Sequence, residues 1–258
     1  MISGGLRAKR ILSITLVFAL SEKVLLVLGS IPLELKRCVV LERVNRFVVN
    51  ALTDCGVDPL NLRNTGRLLG LLLRGSEALY KPKSSGKTRG YLVAVKVEGG
   101  YAILDTHVQA MLWELALSRG LLEALRGFRV KRRNFRFQGS LIDYFLEGEK
   151  GDLMLLEVKS AVHVEGSMAM YPDAPSERGR RHIEVLIEAV KKGFRAVVCF
   201  IASHPSAKAF RAFREVDPLF SSKLSLAVKR GVEVMALNIY LTEELQVALI
   251  PQIPVTSL

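Results

Sequence analysis

Phe137-Gln-Gly-Ser-Leu-Ile-Asp143-Tyr-Phe-Leu-Glu147, Gly148-Glu-Lys-Gly-Asp152 and Leu153-Met-Leu-Leu-Glu157-Val-Lys159 read in succession as an apolar strand, a polar turn and a second apolar strand. A turn centred near Lys150 sets Asp143 across from Glu157. Side chains alternate along a strand, so Glu157 and Lys159 share a face, and Asp143 joins them from the facing strand. Two carboxylates opposed among Leu141, Ile142, Tyr144 and Phe145 repel one another. A proton, the Lys159 ammonium or a metal ion relieves that repulsion. Mg²⁺ suits one or two carboxylates completed by water and phosphate oxygens. The competing reading is an ordinary Asp143–Lys159 ion pair near a strand end.

Downstream, Tyr171-Pro-Asp-Ala-Pro-Ser-Glu-Arg-Gly-Arg-Arg-His182 leads from a turn into a helix. Ser176 is the N-cap, Ile183, Leu186, Ile187 and Val190 form the apolar stripe, and Gly193 stops it. The first turns are expected to expose Glu177, Arg178, Arg181 and His182, with Arg178 and His182 one turn apart on one side. A helix start bearing arginines can clamp phosphate, or it can simply be a solvated charged face. A buried strand at Ala196–Ala202, a helix from Leu219 to Arg230 ended by Gly231 and a strand from Val232 to Leu241 follow. This order specifies an α/β unit with a central sheet.

From Leu33 to about Glu98 the chain reads as short strands and turns: Cys38–Leu41, Phe47–Leu52, Leu68–Leu73, Glu77–Tyr80 and Tyr91–Val97. That pattern suggests a small β-barrel. Arg43, Arg46, Arg63, Arg67 and Arg74 make it basic, and its aromatics are few, which favours contact with a nucleic-acid backbone over base stacking. Lys81-Pro-Lys-Ser-Ser-Gly-Lys-Thr88 ends like a phosphate-binding loop, yet Lys81 stands where a glycine is needed and a strand-like run follows, not a helix. The densest basic cluster is Arg126, Arg129, Lys131, Arg132, Arg133 and Arg136. It is either a phosphate-binding strand whose grip weakens with salt or a solvated strand face.

With 258 residues, 50% of them hydrophobic and 24% charged, the chain is long enough for one large or two modest globular domains. Its formal charge of +12 favours a polyanionic partner, nucleic acid or an anionic surface. Cys38, Cys55 and Cys199 suggest neither a disulfide framework nor zinc and fit a reducing cytoplasm. The four histidines lack metalloprotease spacing. The apolar run Ile11–Leu20 follows a basic start but is interrupted at Glu22-Lys23, too short for a membrane span. Residues 1–32 are therefore expected to be an N-terminal extension, and no membrane partner is expected.

Asp143 with Glu157-Val-Lys159, Tyr171-Pro-Asp-Ala and Ser176-Glu-Arg-Gly-x-x-His182 resemble the signature of the sugar fermentation stimulation protein A family. Glu42-Arg-Val-Asn-Arg-Phe47, Asn64-Thr-Gly66, Asp217-Pro218 and Ile253–Leu258 resemble its other motifs, in the same order. The chain departs from that pattern at Arg63, where the family carries Pro, and at Asp105, where it carries Asn. The resemblance implies an OB-like β-barrel at 33–100 and a restriction-endonuclease-like PD-(D/E)xK α/β domain with a mixed sheet at 101–258. It implies DNA binding and an association with sugar metabolism.

Carried over by position, the resemblance implies a nuclease-like site of Asp143, Glu157 and Lys159, with Glu114 as the acidic helix residue. Asp143 and Glu157 would hold Mg²⁺ or Mn²⁺. The expected nucleic-acid contacts are Arg46, Arg63, Asn64, Arg129, Lys131, Arg133, Arg178, Arg181 and His182. Three functions fit: a metal-dependent nuclease, a DNA-binding regulator that keeps the fold without hydrolysis, and an accessory protein binding nucleic acid nonspecifically.

Overall fold

The first elements of the computed structural model, which describes residues 15–20 and 23–257, are β1 (Thr15–Leu20) and β2 (Lys23–Ser30), an antiparallel hairpin. The start of the apolar run, residues 11–14, lies outside the described residues. Five strands follow: β3 (Lys36–Asn45), β4 (Val48–Thr53), β5 (Gly56–Leu62), β6 (Glu77–Pro82) and β7 (Gly90–Val97). Antiparallel pairs β3–β4, β4–β5, β3–β6 and β6–β7, with a parallel β5–β7 contact, close them into a barrel. Closure needs glycine at 90, because a Cβ there would sit 2.3 Å from the Lys81 carbonyl oxygen. Val40, Val49, Leu60, Leu62, Leu92 and Val95 fill the interior.

Two expectations for the barrel are corrected. β5 carries Asp58, Pro59 and Asn61, which hide a strand from a propensity reading. The run Leu68–Leu73 is a series of turns. Its Leu68 and Leu71 are buried in the barrel core, so the apolar run marks a plug where a strand was expected. The segment after Lys81 is a hairpin loop leading into β7, and no helix start follows it.

β8 (Gly100–Ile103) pairs with β7 and belongs to two cores. Its Tyr101 and Ile103 pack in one cluster with the large sheet, while Ala102, followed by Leu104, packs in the barrel. Asp105 then caps helix α1 (Thr106–Ser118), its side chain accepting from the His107 and Val108 amides.

The second unit continues with β9 (Phe128–Phe137), β10 (Ser140–Gly148), β11 (Leu153–Ser160), β12 (His163–Glu165), β13 (Met168–Tyr171) and α2 (Glu177–Lys191). It ends with β14 (Arg195–Ile201), β15 (Ala209–Ala212), α3 (Pro218–Lys229), β16 (Glu233–Leu241) and β17 (Gln246–Ile250). Strands run in the order β9-β10-β11-β14-β16, with β11, β14 and β16 parallel and joined through α2 and α3. α1 covers one face through Leu112, Trp113 and Ala116. α2 and α3 cover the other through Ile183, Leu186, Phe220 and Leu224. β12, β13 and β15 make a separate small sheet.

A small barrel followed by an α/β unit with a mixed central sheet is the expected architecture. Of the segment expected to be an extension, the described strand β2 is built into it. β17 pairs with β16 on one side and β2 on the other, and Leu26 and Leu28 enter the core on the α1 face. Cys38, Cys55 and Cys199 are free thiols. Among the described residues no helix is long and apolar enough to cross a membrane.

Candidate active site

The β10–β11 hairpin has the anticipated register, Glu147 opposite Leu153 through Tyr144 opposite Leu156. The next step would pair Asp143 with Glu157, and there the carboxylates stand in for the backbone ladder. The Asp143 amide donates to Glu157 Oε2 at 3.2 Å, and the Val158 amide donates to Asp143 Oδ2 at 2.8 Å. Ile142 packs toward α2 and Tyr144, two residues on, toward α1. Residues two apart on a regular strand share a face, so β10 twists at Asp143.

Lys159 donates to Glu157 Oε1 at 2.6 Å, and His182 Nδ1 bonds the same oxygen. Arg178 Nε donates to His182 Nε2 at 3.3 Å, which assigns the ring hydrogen to Nδ1. Burial opposes the Glu157 charge, but Lys159 and His182 outweigh it and hold the carboxyl down to about 2. Asp143 has the opposite fate. Burial, then the charge of Glu157, push it up to about 7. Burial lowers and Glu157 raises the Lys159 ammonium, with the carboxylate prevailing.

The site opens into a cavity of about 1220 Å³ between barrel and sheet. Asp143, Glu157, Lys159, Glu114 and Arg178 line one side, and Arg43, Arg46, Gly66 and Arg67 line the barrel side. The sides are locked together. Leu68 N–H donates to Asp173 Oδ2 at 2.9 Å, and a Cβ on Gly66 would lie 2.6 Å from both Asp173 oxygens. Ser160, one residue past Lys159, receives Asn64 Nδ2 at 3.3 Å and Gln109 Nε2 at 3.0 Å.

The start of α2 is also tightly built. Ser176 Oγ accepts from the Gly179 amide, and a Cβ on Gly179 would come within 2.7 Å of that oxygen. Asp217, which caps α3, accepts from the Ser176 amide at 2.9 Å and from Arg180. The Ser-Glu-Arg-Gly and Asp-Pro strings are therefore two ends of one helix-to-helix joint.

Several expected site residues are placed differently. His182 was expected to be exposed; it is 1% exposed, with both ring nitrogens engaged by Glu157 and Arg178, so it holds the site from behind and does not reach phosphate. Arg133 grips Glu114 through two nitrogens, and Tyr144 donates to the same carboxylate at 3.0 Å. Arg133, then burial working against it, leaves Glu114 below its ordinary range. Arg129 and Lys131 both bind Glu147, away from the cavity lining. Arg63 is spent on Asp105 and Asn64 on Leu104 and Ser160, while Arg181 is exposed outside the lining. Arg46, Asn64, Arg133 and Arg178 line the cavity. Gln109 and Ser160 carried no sequence signal, because their partners lie about 50 residues away or more.

Family models match both units: the sugar fermentation stimulation protein RE domain over residues 107–245 and the SfsA N-terminal OB domain over residues 41–104. The sugar fermentation stimulation protein homolog of Pyrococcus furiosus is 39% identical over 204 residues, covering 79% of this chain and 88% of that one. The homolog of Archaeoglobus fulgidus is 41% identical over 197 residues, covering 76% and 84%. The solved structure of Pyrococcus furiosus SfsA in complex with Ca²⁺ is similar with a TM-score of 0.84 at 35% identity, over 89% of this chain and 98% of that one. Two consecutive domain matches that span the barrel and the sheet, with relatives aligned over most of their own length, leave one assignment: the chain belongs to the sugar fermentation stimulation protein family.

Proposed function

We propose that the protein is a divalent-metal-dependent nuclease that hydrolyses phosphodiesters of nucleic acid, DNA first, in the cleft between barrel and sheet. The observation that carries this reading is the Asp143–Glu157–Lys159 cluster lying in the same cavity as Arg46 and Arg178. The donor set fits a hard cation. Asp143 is forced toward the protonated form by burial and by Glu157, and a cation between the carboxylates would restore its charge. Among the described residues no hydrogen bond engages Asp143 Oδ1, which leaves that oxygen to coordinate. Mg²⁺ or Mn²⁺ is the ion this reading expects; the similar Pyrococcus furiosus structure is in complex with Ca²⁺.

A bound divalent ion would polarise the phosphodiester and acidify a water molecule. The protein's own groups do the rest. Glu157, held below the ordinary carboxylate range by Lys159 and His182, is charged near neutral pH. Lys159 sets an ammonium beside the carboxylates, where negative charge develops at the phosphorus oxygens. Arg178 and Arg46 hold the flanking backbone by charge.

One observation favours the second reading, a DNA-binding regulator that does not cut. Glu157 already receives Lys159, His182 and the Asp143 amide, so its coordinating capacity is largely spent. Incubating the protein with labelled single- and double-stranded DNA and RNA in Mg²⁺, Mn²⁺ or EDTA separates the two. Metal-dependent cleavage abolished by Glu157→Ala and Lys159→Ala supports the nuclease. Salt-sensitive binding without cleavage in any metal supports the regulator.

A further inference from the structure

The tip of the β3–β4 hairpin is unusual for the surface of a barrel. Phe47 is 51% exposed, and the neighbouring Val44 is 53% exposed. The other aromatic rings of the barrel are covered: Tyr80 is buried, and Tyr91 has the Arg63 guanidinium 3.9 Å and the Lys83 ammonium 4.7 Å from its centroid. The backbone that carries Phe47 is anchored. Its amide donates to Asn45 Oδ1 at 2.8 Å, and its carbonyl accepts from the Leu62 amide at 2.7 Å. Arg43 braces the tip from beneath, donating to the Asn45 carbonyl at 3.2 Å and to the Arg67 carbonyl at 2.7 Å.

The tip stands beside the candidate active site. Arg43, Arg46 and Arg67 line the cavity that holds Lys159, and the single Arg46 guanidinium stands over one face of the Phe47 ring at 5.8 Å, farther than either cation over Tyr91. An exposed ring on an anchored backbone, next to a cleft lined by Arg43, Arg46 and Arg67, matches one ligand chemistry: a flat apolar group carrying phosphate. Nucleobases offer a π-face whatever their sequence, and stacking on aromatic side chains is a general means of holding single strands.

We propose that Phe47 is a base-stacking platform, so that the strand entering the cleft presents unpaired nucleotides, with the base on Phe47 and its phosphate on Arg46. This rests on the nucleic-acid reading given above and adds the substrate class. It also departs from the expectation of backbone contact alone that the small number of aromatics in the sequence suggested.

The test uses the full chain in EDTA, so that no strand is cut. Three probes are compared: a mixed-sequence single-stranded DNA, the same strand with abasic sites throughout, and a blunt duplex. Phe47→Trp adds an exposed fluorophore to a protein whose only tryptophan, Trp113, is fully buried. The single strand should quench that emission, while the abasic strand and the duplex should not. Phe47→Ala and Phe47→Leu should both weaken single-strand binding about tenfold and leave abasic and duplex binding unchanged. Wild-type affinity in Phe47→Leu, or equal quenching by the abasic strand, would overturn the stacking platform while nucleic-acid binding stood. No binding of any probe by wild type at low salt would overturn both.

Discussion

Glu157 and His182 are bonded through Oε1 and Nδ1 across 25 residues of chain, tying strand β11 to the first turns of helix α2 behind the site. The same oxygen receives Lys159, so one carboxylate joins the strand, the helix and the ammonium. His182→Ala removes a buried partner and leaves Glu157 with less support. We expect a loss of about 1–3 kcal/mol in urea unfolding, with His182→Asn recovering part of it. Equal stability of wild type and His182→Ala would show that the bond contributes nothing.

The Asp143 carboxyl gives a pH dependence with a definite sign. Its folded pKa, about 7, lies above the ordinary 3.8, so the folded state binds the extra proton. The stability this contributes is full below pH 3.8 and is lost as pH rises through 7. In EDTA, Asp143→Asn should therefore gain on wild type by about 2 kcal/mol between pH 5 and pH 8. Added Mg²⁺ should raise the wild-type Tm more at pH 8 than at pH 5 and move the Asn variant little. Parallel pH profiles in EDTA would refute the prediction.

Arg63 and Asp105, 42 residues apart in the chain, are bonded to each other. The Arg63 guanidinium donates from Nε at 2.9 Å and also from Nη2, and Asp105 is fully buried at the N-terminus of α1. Arg63→Ala leaves a buried charge held only by backbone amides and should cost about 3 kcal/mol. Arg63→Ala with Asp105→Asn removes that charge and should recover at least half of the loss. Additive costs in the double variant, read by chemical denaturation, would mean that the two positions are independent.

Gly66 is required by a close approach. A methyl at 66 meets both oxygens of Asp173, so Gly66→Ala should destabilise by about 1–3 kcal/mol. The same change in an Asp173→Ala background should cost clearly less. A thermodynamic cycle measures the difference, and an unchanged cost would place the strain elsewhere.

What could be read in the chain was local. The hairpin register, the Ser176 cap and the Gly193 stop depend on neighbours a few residues apart, and all stand as expected. Pro59 and Asp58 disguised β5, and the leucines of 68–73 imitated a strand because burial alone has no periodicity. His182 follows Glu177, Arg178 and Arg181 in the charged first turns of α2, a setting that reads as exposed. Its position four residues before Leu186 puts it on the buried stripe, where it is polar because Glu157 needs a partner. The grip of Asn64 and Gln109 on Ser160 joins residues 96 and 51 apart, and no local pattern encodes such a meeting.

β8 carries one more consequence. Its alternate side chains serve opposite cores, so a cut between the two family domains would strip one wall from each. Swinging the barrel away from the carboxylates would break the packing of Tyr101 and Ile103 in one core or of Ala102 and Leu104 in the other. The spacing between the arginines of the barrel side and the carboxylates of the sheet is therefore set through four residues of shared strand.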